Sequence, residues 1–189
     1  MKKNTITLLL AGCACGLFAY GQSSSSTTVG AADRMFIQKA AQGGMAEVQL
    51  GQLATQKAAS QSVKDFGQRM VTDHSQANDK LKSIAAGQGV PEPTSLIAKD
   101  QALYDRLSGL SGTAFDRVYM RAMVKDHTQD VAEFQKESAT GRDQAVQSFA
   151  SATLPTLEEH LRLAKKVRHD LGISASAEAH HTDESALQR

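Results

Sequence analysis

The sequence predicts an all-α protein, an antiparallel four-helix bundle with a short extra helix in the connection between the second and third long helices. Three observations carry that reading. Apolar and small residues recur three and four positions apart from about Ala32 to Leu171, the period of a helix with one inward face. Glycine and proline punctuation gathers around positions 87–93, 108–112, 141 and 172, and with a serine break near 60–62 it cuts this stretch into four long segments and one short one. The chain has no tryptophan, 5% aromatic residues and three prolines, which favours helix over sheet. Its 189 residues, 41% of them hydrophobic, suffice for one core.

Residues 1–21 read as an export leader. Met1-Lys2-Lys3 is a short cationic start, and Ile6 to Ala19 is a largely apolar run too short for a stable membrane span. Two processing sites compete. Leu10-Ala11-Gly12-Cys13 fits a bacterial lipobox, with the leader ending before Cys13 and Cys13 lipidated as an outer-membrane anchor. Ala19-Tyr20-Gly21 fits an ordinary signal-peptidase site before Gln22, which removes both cysteines and leaves a periplasmic protein without disulfides. Loss of Lys2 and Lys3 takes the formal charge from +1 to −1, so no basic excess marks a nucleic-acid partner. Residues 22–31 are Ser/Thr-rich and read as a flexible linker, 32–172 as the bundle domain, and 173–189 as a disordered polar tail. The tail carries His180-His181, a pair read as incidental.

The first helix is expected over about Ala32–Ala59, with Ile37, Ala40, Gly44, Glu47, Gly51, Ala54 and Ala58 on its inner seam. Small residues dominate that seam and let a neighbour approach closely. The second begins near Ser60 or Ser62, either able to cap it, with Val63, Phe66, Met70, His74, Ala77, Leu81 and Ile84 inward. A short helix capped by Thr94 or Ser95 runs to about Leu107. The third long helix covers about Thr113–Ala139 with Phe115, Tyr119, Met123, His127, Val131 and Phe134 inward, and Gly141 ends it as a C-terminal glycine. The fourth runs from about Arg142 to Leu171, with His160 on its seam and Gly172 closing it. Pro155 interrupts one backbone bond and is expected to kink this helix just before His160.

A seven-residue stretch occurs twice. Met70-Val71-Thr72-Asp73-His74-Ser75-Gln76 returns as Met123-Val124-Lys125-Asp126-His127-Thr128-Gln129. Duplicated helical histidines suggest two related hairpins that pool their ligands. Glu47, His74, His127 and His160 each fall on the apolar seam of a different helix. A buried ionised carboxylate must be paired, protonated or bound to metal. Three imidazoles and one acid form a reasonable shell for a single Fe, Zn, Mn or Cu ion. Asp73 and Asp126 each precede a histidine by one residue and so point about 100° away from it. Their place in such a site is to orient a histidine on a neighbouring helix, and Glu159 beside His160 can do the same.

A competing reading needs no metal. Seam histidines bonded to carbonyls and carboxylates make a polar cluster that sets bundle register, with Asp73 and Asp126 paired to cations such as Arg69 or Lys125. Met70 with His74, and Met123 with His127, stand one turn apart and raise a weaker Cu(I) or haem possibility, though methionine on a helical seam is ordinarily core filler. No covalent haem motif, nucleophile elbow or phosphate-cradling loop occurs, so nothing specifies an enzyme. Nothing in the chain specifies an envelope partner or an oligomeric state either.

The order of motifs resembles a family. Glu47 in the first helix is followed by Met70–His74, then Ser108-Gly109 with Phe115-Asp116-Arg117-Val118-Tyr119-Met120. Met123–His127 and Leu154-Pro155-Thr156-Leu157-Glu158-Glu159-His160-Leu161 complete the series. The succession is similar to domain of unknown function 4142, across roughly Ala32 to Leu171. The resemblance implies an exported bacterial protein of the periplasm or outer membrane with a ferritin-like four-helix bundle, and no particular activity. Di-iron chemistry does not come with it. That site needs Glu and His three residues apart on two helices, whereas here an aspartate stands directly beside His74 and His127.

Overall fold

The computed structural model describes residues 30–174; the leader with Cys13, residues 22–29 of the linker and the His180-His181 pair lie outside the described residues. Five helices follow in order: α1 (Ala31–Lys57), α2 (Gln61–Gly87), α3 (Ala98–Ser108), α4 (Gly112–Thr140) and α5 (Gln144–Asp170). No helix among the described residues is long and apolar enough to cross a membrane.

The long helices form two hairpins, α1 with α2 and α4 with α5, which pack through α2 against α5 and α1 against α4. Two buried aspartates fix the helix directions. The amides of Ala59 and Ser60, just ahead of α2, donate to Asp116 Oδ1 and Oδ2 in the first turns of α4 at 3.0 and 2.9 Å. At the other end, the amides of Arg142 and Asp143 donate to Asp33 Oδ2 of α1 at 3.1 and 2.7 Å. So α2 and α4 start at one end of the bundle, α1 and α5 at the other, and every neighbouring pair is antiparallel. The connection from α2 to α4 must then travel the bundle's length, and α3 lies along it against α1 and α4.

The helix ends differ from expectation in instructive ways. Ser60 is the residue ahead of α2, but its hydroxyl caps no backbone amide: it pairs with the Ser62 hydroxyl at 2.8 Å, while Asp116 takes the amides of Ala59 and Ser60 just before the helix. The short helix starts at Ala98, preceded by Ile97 and not by Thr94 or Ser95. Gly141 does end α4, yet with φ −57° it is not in the left-handed conformation. Space explains this glycine: a Cβ there would stand 2.7 Å from the Glu137 carbonyl oxygen. Gly172 does adopt φ +63°, and the Ile173 amide returns to the Arg168 carbonyl at 3.0 Å, closing α5. That helix continues through Pro155. Its own aspartate, Asp143, caps it by accepting from the amides of Ala145 and Val146.

Close approach between α1 and α2 depends on two glycines. A Cβ on Gly67 would stand 2.6 Å from the Ala54 Cβ and 2.9 Å from the Gly51 carbonyl, both on rigid helix backbone. Gly67→Ala is therefore expected to lower stability by about 1–3 kcal/mol through overpacking. That outweighs the roughly 1 kcal/mol that alanine gains in helix propensity. The measurement is a lower denaturant midpoint at unchanged slope.

Candidate metal centre

The core is divided. One apolar cluster, with Leu50, Phe66, Met70, Tyr119 and Met123, fills the end of the bundle where α2 and α4 begin. A second, with Ile37, Leu81, Phe134, Phe149 and Leu157, fills the other end. One turn beyond Met70 and Met123, His74 and His127 enter the layer between the clusters, and His160 joins them from α5. Both methionines are fully buried and packed within the first cluster.

The three histidines meet. One ring nitrogen of each lies within 4.8 Å of the others, and the residues are 7%, 0% and 1% exposed in chain order. Ring centroids are 5.3–5.8 Å apart. Two of the rings are held from behind. His127 Nδ1 lies 2.9 Å from the Met123 carbonyl, which can only accept, so this nitrogen carries the proton and Nε2 keeps its lone pair. His160 Nε2 lies 2.8 Å from Asp73 Oδ2, so this nitrogen donates and Nδ1 keeps the lone pair. His74 Nε2, His127 Nε2 and His160 Nδ1 are all buried and without a hydrogen-bond partner among the described residues. Stranding a buried polar atom costs about 1–3 kcal/mol, so three in one layer call for an explanation.

Burial dominates the electrostatics. It pushes the His74 pKa well below the usual imidazole value, helped by the nearby His127 and His160. It takes His127 down to about 4, with repulsion from His160 adding to the effect and the Met123 carbonyl opposing it. His160 is lowered by burial despite the stabilising Asp73 carboxylate. The cluster is therefore three neutral imidazoles at neutral pH, the form that binds metal.

Glu47 is 3% exposed and stands outside this group of nitrogens. Its Oε1 is 3.9 Å from His127 Nδ1, the nitrogen already turned to Met123, while Oε2 is buried without a partner. Burial, with repulsion from Asp130, Asp126 and Asp100, raises its pKa well above the usual carboxylate range. Tyr119, fully buried with its hydroxyl unpartnered, is raised by burial and by Glu47.

The three flanking acids go separate ways. Asp73 spans two helices, bonding His160 and accepting from Arg69 Nε at 3.2 Å. Asp126 lines a cleft between α1, α3 and α4. Glu159 is taken by Arg162 at 2.7 and 2.8 Å on the surface. The two heptapeptide copies are consequently not equivalent. The first lies in the second helix of its hairpin and the second in the first helix of its own, so the same Asp-His pair meets different surroundings. Sequence reasoning missed Asp33, Asp116 and Asp130. Their one signal is an acid within a helical segment; the partners of Asp33 and Asp116 lie on other elements, and Asp130 lines the cleft beside Asp126.

No match is found among curated proteins. Among solved structures, the chain is similar to a DUF305 fragment from Deinococcus radiodurans, with 16% identity, a TM-score of 0.64 and coverage of 76% of this chain and 97% of that one. It is also similar to a DUF305 protein from Streptomyces coelicolor, with 13% identity, a TM-score of 0.66 and coverage of 79% and 98%. At these identities the likeness speaks for the fold, a ferritin-like four-helix bundle. The sequence itself matches a named family along residues 19–167, most of the bundle included, and the chain thus belongs to the DUF4142 family, a domain of unknown function.

Proposed function

We propose that this bundle binds one divalent transition-metal ion through His74, His127 and His160, for sequestration or stress defence in the cell envelope. The observation that carries the reading is the set of three buried imidazoles, each with a ring nitrogen within 4.8 Å of the other two and each with a buried nitrogen that has no hydrogen-bond partner among the described residues. A point midway between three atoms no more than 4.8 Å apart is at most about 2.8 Å from each, against metal–nitrogen bonds of about 2.0–2.1 Å, so each ring closes by no more than about 0.8 Å on the ion. Asp73 behind His160 supplies one carboxylate towards the charge of a divalent ion, and Glu47 near His127 supplies a second when it gives up its proton. Nitrogen ligands suit Zn, Cu and Fe, with Mn a weaker fit. Glu47 becomes a fourth ligand only if its side chain turns past His127.

Export supports the envelope setting. It rests on the leader at residues 1–21, with Cys13 as the lipid anchor if the lipobox is used, and the Streptomyces coelicolor neighbour is itself named as a secreted protein. One observation favours a second reading, a purely structural polar layer in an envelope interaction protein. The bonds of His127 to Met123 and of His160 to Asp73 hold without an ion. Elemental mass spectrometry of the untagged protein decides between them. Near one equivalent of a single metal, absent from a His74→Ala variant, is the expected result. No metal after reconstitution with Fe, Zn, Mn and Cu leaves the structural layer.

A further inference from the structure

A cleft of about 300 Å³ opens on the side of the bundle between α1 and α4, beside the first turn of α3. Five carboxylates line it: Glu47, Asp100, Asp126, Asp130 and Glu133. Two have lysine partners, Glu133 with Lys39 at 2.8 Å and Asp100 with Lys99 at 3.7 Å. Asp126 and Asp130 have no such partner among the described residues, and Glu47 offers the buried, unpartnered Oε2 already described. Further in lies a cavity of about 30 Å³ bounded by His74, whose Nε2 is likewise buried and unpartnered. That volume admits a single water or a dehydrated ion.

Gly43 and Asp130 line both the cleft and the inner cavity. The space over Gly43 is open, since a Cβ built there meets nothing within 4 Å. By contrast, the larger cleft of about 760 Å³ beside it presents Arg106, Arg121, Lys125 and Arg168, which repel cations.

We infer that the acidic cleft is the port through which a hydrated divalent cation reaches the three histidines, passing between Gly43 and Asp130. The inference rests on the metal-binding reading above. The cleft has room for the ion with its water shell, and Asp126 together with Asp130, once Asp130 is ionised above about pH 7, gathers the ion from solution by long-range attraction. Carboxylate oxygens can replace part of the hydration shell before the ion passes to nitrogen ligands in the drier layer beyond. Glu47 joins the cleft to the core, since it lines the cleft while its Oε1 lies 3.9 Å from His127 Nδ1.

The test is stopped-flow uptake of Co²⁺ by the full chain, followed by the ligand-field absorbance of histidine-bound cobalt, with His127→Ala defining the signal. Two variants probe the route, and circular dichroism confirms that each folds. In Asp126→Asn/Asp130→Asn the association rate is expected to fall on the order of tenfold or more and lose most of its dependence on ionic strength. In Gly43→Leu the added side chain obstructs the passage, so uptake and chelator-driven release both slow while Kd is unchanged. Unaltered rates in both variants, with normal cobalt binding in the parent, overturn the port alone. A parent protein showing no histidine-dependent cobalt signal overturns the metal-binding reading, and the port with it.

Discussion

Replacing His127 with alanine is expected to abolish metal binding and every effect of metal on stability. An ion that binds only the folded chain stabilises it by about 4 kcal/mol when its free concentration is a thousand times Kd. Parent protein should therefore melt well above its chelated form, and His127→Ala should melt at the same temperature with and without chelator. His74→Ala and His160→Ala should behave alike, because an ion held by three nitrogens does not survive on two at comparable affinity. Met70→Leu should keep the metal, since Met70 packs in the apolar cluster and not in the histidine layer. The contrary result is clear. If the parent protein is equally stable with and without chelator, the layer is a structural one, and the histidine variants then report only lost packing.

Stability of the metal-free protein should depend on pH in two opposing ways, which a single substitution separates. Burial keeps the three imidazoles neutral, with His127 held down to about 4. A pKa lower in the folded state than in the unfolded one means that the unfolded chain takes up protons first on acidification. This contribution is therefore complete above about pH 6.5 and is lost as pH falls toward 4. At 1.36 kcal/mol per pH unit, His127 alone accounts for about 3 kcal/mol. Asp130 acts in the reverse sense. Burial, with repulsion from Asp126 and Glu133, raises it to about 7. The folded chain holds a proton that the unfolded chain has released, so this contribution is present below the ordinary aspartate pKa and is lost as pH rises through 7. Asp130→Asn removes the second effect. It should raise stability at pH 8 by roughly 1–2 kcal/mol, less than the full shift because the side chain keeps some contact with solvent. The gain should shrink toward nothing as pH approaches 4. Denaturant titrations of both proteins from pH 4 to 8 test this, and a gain independent of pH would remove the buried-carboxylate account.

The helices were legible because their cause is local. Spacing of Val63, Phe66, Met70, His74 and Leu81 can bury one face only if the chain is helical, and the glycines near 87–89, 109, 141 and 172 mark where it stops. The same spacing put Glu47, His74, His127 and His160 on inward faces, and all four are buried. What each inward polar residue touches was not legible. The heptapeptide repeat suggests two equivalent histidines, but its copies occupy different helices of their hairpins, and only the packing of α2 on α5 gives His160 the Asp73 carboxylate. Asp116 and Asp33 look like ordinary helical acids until the backbone amides of Ala59, Ser60, Arg142 and Asp143 arrive from chain positions far away.

Sequence alone determined the number of long helices, their inward faces and the burial of one acid and three histidines, because each follows from the pitch of a single helix. Tertiary structure decided that the three imidazole nitrogens share one layer, that Glu47 stands behind His127, and that an acidic cleft beside α3 lies next to the cavity at His74. Those facts depend on the register and direction of helices relative to one another. Register is set by close contacts such as Gly51 on Gly67 and by cross-bundle caps, and neither is written in the period of any one helix.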